Sequence, residues 1–382
     1  MRLLFRKRAE AENRTVDIPG LPDPTGIVSA ESAMRIADVY SCVRCLSDAA
    51  ASVPLHLYRT GELGRERVRT GRAADLLVRP APATTQANLI GQAVAHLALH
   101  GNCFIGKFRD AGGRVEQLAL LHPQVVGVEL VNGEPRYTLS GPNGRSTHGV
   151  ADIIHVRGLS TDGLVGLSPI QQCRVAIRVA EGSGLFMDAY LRNGGRPSGV
   201  LSIPGVDESF RRHVDQLFHA RDAGVRNMHK MVTTNKEMTY TSVAPTLGDM
   251  EFIEQRKMST ADICRIFRVP PWMVGATSGD ALTYSNTEQQ QLAFVTHSLR
   301  PWLVLIEQAI TNDADVCRGP GLYAEFVLDA LLRADHKTRA DVYTAALNPQ
   351  TGWMSRDEVR RAENLPEDGA KQMALSAPEG GA

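Results

Sequence analysis

Two adjacent prolines, Pro270 and Pro271, constrain the fold of this chain more than any other feature of its sequence. A proline disfavours the helical conformation of the residue before it, so the preceding helical pattern is predicted to end at Val269. A second helix is predicted to begin near Ser285, whose hydroxyl can accept from a backbone N–H while Glu288 reaches back to the Ser285 N–H. The sequence therefore predicts two helices joined by a rigid turn and closed by a capping box.

The connection between these two helices is predicted to be an exposed loop. Residues 275–281 have little apolar character and include two glycines, Gly275 and Gly279. Glycine supplies the backbone freedom that loops use, whereas the adjacent prolines make the base of this loop rigid. Because exposed loops on rigid bases often carry function, this loop is the first candidate for a functional site.

Composition excludes several classes of protein. The 382 residues are enough for a substantial core, in about two to three domains or one elaborated domain. Lysine plus arginine and aspartate plus glutamate number 42 each, so the chain lacks the cationic field that drives tight, non-specific nucleic-acid binding. The six cysteines are scattered and no secretory signal precedes them, which favours reduced thiols. No run of about 18 apolar residues exists, so we expect no membrane span.

The first 165 residues are predicted to form an α+β unit. Residues 1–28 mix charges with prolines and glycines and are expected to be a flexible arm. Apolar residues recur at helical spacing over 29–53 and again over 88–100, before Gly101. A strand at 55–59, followed by a loop, fits the region up to residue 82 better than a helix does. Five short strands should follow, at 103–109, 115–121, 125–131, 136–139 and 153–156.

A long helix is predicted over residues 168–192. Ser168 and Pro169 are a strong helix start, and Gln171 occupies the capping-box position. An apolar seam then repeats at alternating three- and four-residue steps, through Ile170, Cys173, Ile177, Ala180, Gly184, Met187 and Leu191. A helix of about 24 residues would be about 36 Å long.

The partner of this seam is predicted to be the helix over residues 249–268. That segment carries Ile253, Ala261, Cys264 and Phe267 at compatible spacing. Residues 196–248 would then be an insertion between two paired helices, with regular structure at 199–203, 210–221 and 230–234.

The C-terminal third contains a proline that should distort its first helix. The helical pattern from Ser285 to residue 310 includes Pro301, which predicts a kink or break near residues 297–300. A strand at 323–328, helices at 335–347 and 355–364, and a disordered tail from 366 should follow.

Familiar catalytic and metal-binding motifs are incomplete in this sequence. Cys42 and Cys45 form a lone C-x-x-C, which is interpreted as two helical residues one turn apart. His96 and His100 have the spacing of paired metal ligands but lack the glutamate of H-E-x-x-H, so packing is the preferred interpretation. No Walker-type phosphate loop or complete dinucleotide fingerprint is present, and the stretch at 166–170 fails G-x-S-x-G at its last position. The residues alone leave two interpretations open, an architectural protein without a reaction centre or a helical scaffold within an enzyme whose site is spread out.

Several stretches, in this order, resemble the tailed-phage portal proteins of the HK97 type. The first group comprises 39–44, 52–59, 99–104, 118–123, 152–157, 163–170 and 191–201. The most telling group comprises 254–257, 263–275 (ending Val269-Pro270-Pro271-Trp272-Met273-Val274-Gly275), 283–289 and 299–302. The resemblance covers about residues 30–310. Two departures stand out: Cys103 replaces a usual alanine, and the region after 330 matches only loosely.

The resemblance implies an α+β portal-protein fold with a segment assigned to each part. These are an N-terminal arm (1–28), an α/β wing (29–167), a stem helix (168–192), a small α/β clip insertion (193–248), a second stem helix (249–268), a tunnel loop (269–284), a kinked helix with the second part of the wing (285–334), a short helical crown (335–365) and a disordered tail (366–382).

The resemblance also implies a function that is mechanical, without catalysis, cofactor or metal. Portal proteins form a ring, usually a dodecamer, at one vertex of the capsid, assembled in the host bacterial cytoplasm. Double-stranded DNA passes through the ring without sequence specificity, and the large terminase subunit, the major capsid protein and the head–tail adaptor are the implied partners. The hypothesis places Thr277, Ser278, Gly279 and Asp280 of the loop toward DNA, with stem positions facing the channel polar or acidic.

Two alternatives to this function come from other classes of protein. One is a phage-encoded hydrolase or nuclease with an unrecognised site. The other is a head–tail adaptor or minor capsid protein, although these are usually shorter and lack the Val-Pro-Pro turn.

Overall fold

The computed structural model describes residues 28–61, 64–142, 144–192, 199–202, 212, 239–242, 252–275, 284–328, 342–348 and 351–363. The helices are α1 (Ala30–Met34), α2 (Ala37–Ala51), α3 (Arg72–Val78), α4 (Gln86–His100), α5 (Pro169–Gln172), α6 (Arg174–Arg192), α7 (Phe252–Phe267), α8 (Tyr284–Ala293), α9 (Arg300–Thr311) and α10 (Arg356–Ala362). The strands are β1 (Leu55–Gly61), β2 (Gly64–Val68), β3 (Asn102–Arg109), β4 (Val115–Leu121), β5 (Val126–Val131), β6 (Glu134–Gly141), β7 (Gly144–His148), β8 (Ile153–Arg157), β9 (Gly199–Ser202), β10 (Thr239–Ser242) and β11 (Leu322–Phe326).

Helices α2 and α4 form the centre of the first half of the chain. Their facing sides are apolar and fully buried, with Leu46 of α2 and Ile90 and Leu97 of α4 among the largest core side chains. Gly91 lets the two backbones approach, since a Cβ there would lie 3.3 Å from the Cβ of Ala51. The helices meet because their apolar positions recur at helical spacing, as the sequence predicted.

Three antiparallel sheets surround this helix pair, and the predicted α+β class is confirmed. Their strand orders are β4-β3-β8, β5-β6-β7 and β11-β1-β2. The last sheet brings β11 from the C-terminal third back onto β1, with Tyr323 opposite Tyr58. A strand near residue 323 was predicted, but its partner could only be found in the fold.

Three local predictions for the first 165 residues were wrong. The helix predicted over 29–53 is broken after Arg35, because Ile36 has an extended backbone and begins α2 as its N-cap. Residues 72–78 form α3 instead of loop, since burial of Leu76 and Leu77 beneath β1 compensates for a polar flank. Strand β7 was missed because its residues are polar and mostly exposed, and only pairing with β6 defines it.

The predicted long helix pair is present, with a break near its start. Ser168 caps α5 by accepting from the Gln171 N–H, as predicted. The Gln171 side chain donates to the Val28 carbonyl instead of closing the capping box. Cys173 leaves helical geometry (φ −106°, ψ 24°), so the predicted single helix is α5 followed by α6. Helix α6 packs against α7, which confirms the predicted pairing.

A two-stranded ribbon lies where the chain enters and leaves the insertion between these helices. Strand β9, predicted at 199–203, pairs antiparallel with β10, and Val200 faces Thr241. The other elements predicted in the insertion, at 210–221 and 230–234, lie outside the described residues except for residue 212.

The predicted distortion before Pro301 takes the form of a π-helix. Residues Phe294–Leu299 form this wider turn between α8 and α9. Proline has no N–H to donate to the carbonyl four residues earlier and its ring crowds that carbonyl, which explains the position of the irregularity. Helix α10 lies within the predicted 355–364, and Ser355 and Glu358 form a reciprocal capping box there. The predicted helix at 335–347 is described only from residue 342, and 342–346 are helical.

Candidate functional site

The helix before the candidate loop ends by a backbone motif and not at the first proline. Arg268 has a left-handed conformation (φ 55°), its N–H bonds to the Arg265 carbonyl at 3.2 Å, and the Val269 N–H bonds to the Cys264 carbonyl at 3.0 Å. These two bonds define a Schellman motif, in which a hydrophobic contact between the flanking positions is usual. Helix α7 therefore ends at Phe267, two residues before the predicted Val269, because Arg268 has already reversed the chain.

Pro270 and Pro271 then start a second tight turn. Residues Pro271–Val274 form a 3-10 helix that ends at Gly275, whose left-handed backbone (φ 76°) suits glycine. Met273 and Val274 pack against the main core, and Val269 is fully buried. The predicted rigid base of the loop is therefore present, with two consecutive turns and three apolar anchors.

The π-helix on the far side of the loop fastens the end of α7. The Ser298 hydroxyl donates to the Arg268 carbonyl at 2.5 Å, and Ser298 itself is buried. A buried hydrogen bond to the carbonyl of a left-handed residue holds that residue in its strained conformation. The two ends of the loop are thus joined by a contact that the distortion before Pro301 makes possible.

Both flanks of the loop also carry a buried polar atom that lacks a partner. Among the described residues, Nε1 of Trp272 is a buried donor without an acceptor, and Oε1 of Gln290 is a buried acceptor without a donor. A buried polar group that makes no hydrogen bond costs about 1–3 kcal/mol. Such groups are uncommon in folded proteins, and here one lies on each side of the loop.

The loop tip stays a prediction. Thr277, Ser278, Gly279 and Asp280 lie outside the described residues, as do all of 276–283. Helix α8 begins at Tyr284, one residue earlier than expected, which puts Ser285 just inside the helix. The side chains of Ser285 and Glu288 also lie outside the described part of the chain, so the capping box they were expected to form remains a prediction.

A buried asparagine holds the segment that leads into the long helices. Asn102 accepts from the Gly166 N–H at 2.7 Å and donates to the carbonyls of Gly166 and His100 at 2.8 and 3.0 Å. Gly101 before it must be glycine, because a Cβ would lie 2.1 Å from the Leu167 carbonyl oxygen. The Gly-Asn pair contributed to the family resemblance, and its structural role is to hold residues 158–168 against the first unit.

A buried ion cluster joins β3 to the segment after α9. Lys107 Nζ lies 2.6 Å from the Asp313 carboxylate and 3.0 Å from that of Asp315, and the Lys107 side chain is 2% exposed. Arg109 adds a bond of 2.8 Å to Asp315. The hydrogen bond from Arg109 is the main cause that lowers the pKa of Asp315 to about 2. Nothing in the sequence signalled this cluster, because its members are more than 200 residues apart.

The histidines of the sequence pattern are packed side chains. His96 and His100 on α4 and His122 after β4 lie with ring centroids 5.4–6.3 Å apart. Burial, together with the two neighbouring rings, lowers the pKa of His96 to about 4. The predicted packing of His96 is confirmed, while the contact with His122 was not foreseen.

Cys42 and Cys45 lie one turn apart on α2, as predicted, and the Cys42 thiol contacts Cys264 on α7. Burial and this contact raise the pKa of Cys42, which makes it a poor nucleophile. Within the described ranges, no group of three or more histidine, cysteine, aspartate or glutamate side chains is placed to hold a metal ion. No described helix is long and apolar enough to cross a membrane.

The comparisons with known proteins agree with the resemblance in the sequence. The family model described as Phage portal protein matches residues 37–364. The probable portal protein of Streptomyces phage phiC31 is 28% identical over 355 residues, covering 88% of this chain and 76% of the relative. The portal protein of Enterobacteria phage HK97 is 27% identical over 348 residues, covering 89% and 81%.

A solved structure also has this fold. A chain in the neck of an empty gene transfer agent particle, computed with C6 symmetry, matches with a TM-score of 0.62 and 25% identity, covering 90% of this chain and 95% of that one. With the family model covering most of the sequence and the fold shared from the first helices to the last strand, the chain belongs to the phage portal protein family.

Proposed function

We propose that twelve copies of this chain form a ring at one vertex of a phage capsid, through which double-stranded DNA enters and later leaves. The match of the family model to residues 37–364 carries this proposal. Six-fold symmetry of the neck that contains a similar chain supports a closed ring, since twelve subunits satisfy that symmetry. In the ring, residues 29–167 and 285–334 act as the wing, 168–192 and 249–268 as the stem, 193–248 as the clip and 335–365 as the crown.

The described geometry favours a mechanical function for the loop over residues 269–284. Its base is held by the Schellman motif at Arg268, the 3-10 turn up to Gly275 and the bond from Ser298. A loop with a fixed base and a polar tip can contact a moving polymer without being pulled away from the core. We propose that Thr277, Ser278, Gly279 and Asp280 face the DNA.

Charge supports sliding of DNA instead of tight binding. The chain has 42 cationic and 42 anionic residues, so a ring of such chains has no net positive charge. A channel that neutralised many phosphates would release counterions and retain the DNA. We propose that channel-facing stem positions are polar or acidic, that the wing contacts the major capsid protein, and that the clip docks first the large terminase subunit and then the head–tail adaptor.

The ring is tested by negative-stain electron microscopy of the purified chain. Annular particles with a central hole and twelve-fold averages are expected. Monodisperse monomers or dimers at micromolar concentration would contradict the proposal.

The loop is tested by deleting residues 276–280, which keeps Gly275 and both turns of the base. We expect normal rings but a reduction of at least tenfold in DNA packaged or retained when the variant replaces the parent protein in particle assembly. A matched control deletes the exposed turn at Asn132 and Gly133 between β5 and β6, and should package normally. Loss of rings in the loop deletion would show that the loop serves assembly.

A further inference from the structure

Helix α6 carries a second apolar face that is exposed to solvent. Val175, Val179 and Leu185 are 69%, 46% and 65% exposed. Val175, Val179 and Gly182 follow one another at steps of four and three residues, which places them in one line along the helix. Large apolar side chains grouped on one surface mark a binding face, whereas scattered ones do not.

This exposed face lies opposite the face that packs against α7. Ile177, at the centre of the buried seam, is fully buried. Since 3.6 residues make one turn, Val175 and Ile177 point about 200° apart around the helix axis. A helix with apolar residues on two opposite sides is typical of one that lies between two neighbours, and the described part of this chain supplies one of them, α7.

Two glycines in α6 add an independent observation. Gly182 and Gly184 lie inside the helix, and a Cβ at either position would have no atom within 4 Å. Glycine weakens a helix interior relative to alanine, so its use there calls for a compensating reason. Gly182 lies on the exposed face, where a bare backbone allows close approach of a second helix.

Helix α7 offers a matching open surface. Met258 is 70% exposed, and Met258, Ala261 and Arg265 form a line at steps of three and four residues. This line lies away from Ile263 and Phe267, which are buried. The helix pair therefore has two different open surfaces, one on each helix.

Resting on the ring proposed above, we propose that the exposed face of α6 packs against the Met258 surface of α7 in the next copy of this chain. Each α6 then lies between two α7 helices, one from its own chain and one from its neighbour. Because the two surfaces differ, the contact is heterologous, which is the type that closes into rings. Equal numbers of cationic and anionic residues leave no net repulsion between copies.

The first test compares two double variants of the full chain. Val175→Glu with Val179→Glu adds charges to the α6 face, and Val78→Glu with Val150→Glu adds the same charges at exposed positions elsewhere (66% and 52%). We expect the α6 variant to lower the fraction of chains in rings at least tenfold in sedimentation and electron microscopy. The control variant should form rings like the parent, and the circular dichroism spectra of both should be unchanged.

The outcomes separate this inference from the proposed function. Rings that persist in the α6 variant would overturn the inference and leave the portal function standing. A parent chain that forms no rings would overturn the proposed function and the inference together. Loss of rings in both double variants would also overturn the assignment of the interface to α6.

The second test does not depend on disrupting the ring. Val179→Cys combined with Met258→Cys is treated with a short bis-maleimide linker, alongside each single variant and the parent with its native cysteines. We expect a ladder of linked subunits in the double variant on denaturing gels, and no ladder in the three controls. Linkage that stays within one chain, or no new linkage, would overturn the inference.

Discussion

Arg268 has a backbone conformation that glycine adopts at lower cost. Its φ of 55° is one of two positive values among non-glycine residues in the described chain. The left-handed region costs a residue with a Cβ about 1–2 kcal/mol. The bonds of the Schellman motif and the Ser298 hydroxyl offset this cost, so at residue scale the end of α7 combines local strain with contacts that hold it.

Arg268→Gly should stabilise the protein by about 0.5–1 kcal/mol in urea unfolding, since relief of left-handed strain exceeds the added freedom of the unfolded chain. Arg265→Gly is the matched control, because Arg265 is an exposed arginine one turn earlier, inside α7. The control should lose about 1 kcal/mol. Equal destabilisation by both changes would contradict the proposed strain.

Helix α9 and the segment after it are fixed to the first unit at element scale by the Lys107 cluster. The Lys107 and Asp313 side chains are 2% and 9% exposed, so these charges are removed from water and depend on each other. Breaking a buried ion pair leaves the other charge unpaired, whereas exposed pairs contribute little.

Lys107→Met should destabilise the protein by about 3–5 kcal/mol, because Asp313 would stay buried without a partner. Adding Asp313→Leu should recover part of that loss. Arg65→Met, which removes the exposed pair with Glu325, should cost about 1 kcal/mol or less. The three variants are compared by chemical unfolding, and a loss from Lys107→Met as small as that from Arg65→Met would show that the cluster is not energetically buried.

The stability of the whole molecule should depend on pH through its buried histidines. Burial lowers the pKa of His96 to about 4 and that of His155 to about 3. An unfolded histidine titrates near pH 6.5, so below that pH the unfolded state binds more protons than the folded state. The stabilising effect is complete above about pH 6.5 and is lost as the pH falls toward 4 and 3.

The melting temperature should therefore fall steadily between pH 6.5 and pH 4, with a further fall toward pH 2 as Asp315, whose pKa is lowered to about 2, becomes protonated. His96→Phe should flatten the first part of this profile, since one of the two titrating rings is removed. A parent profile that is flat between pH 6.5 and pH 4 would contradict the burial of these rings.

Local signals in the sequence were enough for several elements at the scale of the molecule. The seam through Ile177 predicted a helix that packs against α7, Pro301 predicted the distortion before it, and the Val-Pro-Pro turn together with the Gly-Asn pair indicated the family. These features could be predicted because each depends on residues within a few positions of one another, such as helical spacing or a missing N–H.

The tertiary structure decided the features that depend on distant partners. Helix α3 is formed by burial of Leu76 and Leu77, and the end of α7 is set at Phe267 by a reversal that Ser298 holds from 30 residues away. Lys107 meets Asp313 only when β3 and the end of α9 are already adjacent. Burial and long-range pairing outweigh local preference at these positions, so the sequence determined the family, most elements and the rigid turn, while only the fold decided how the base of the loop is held.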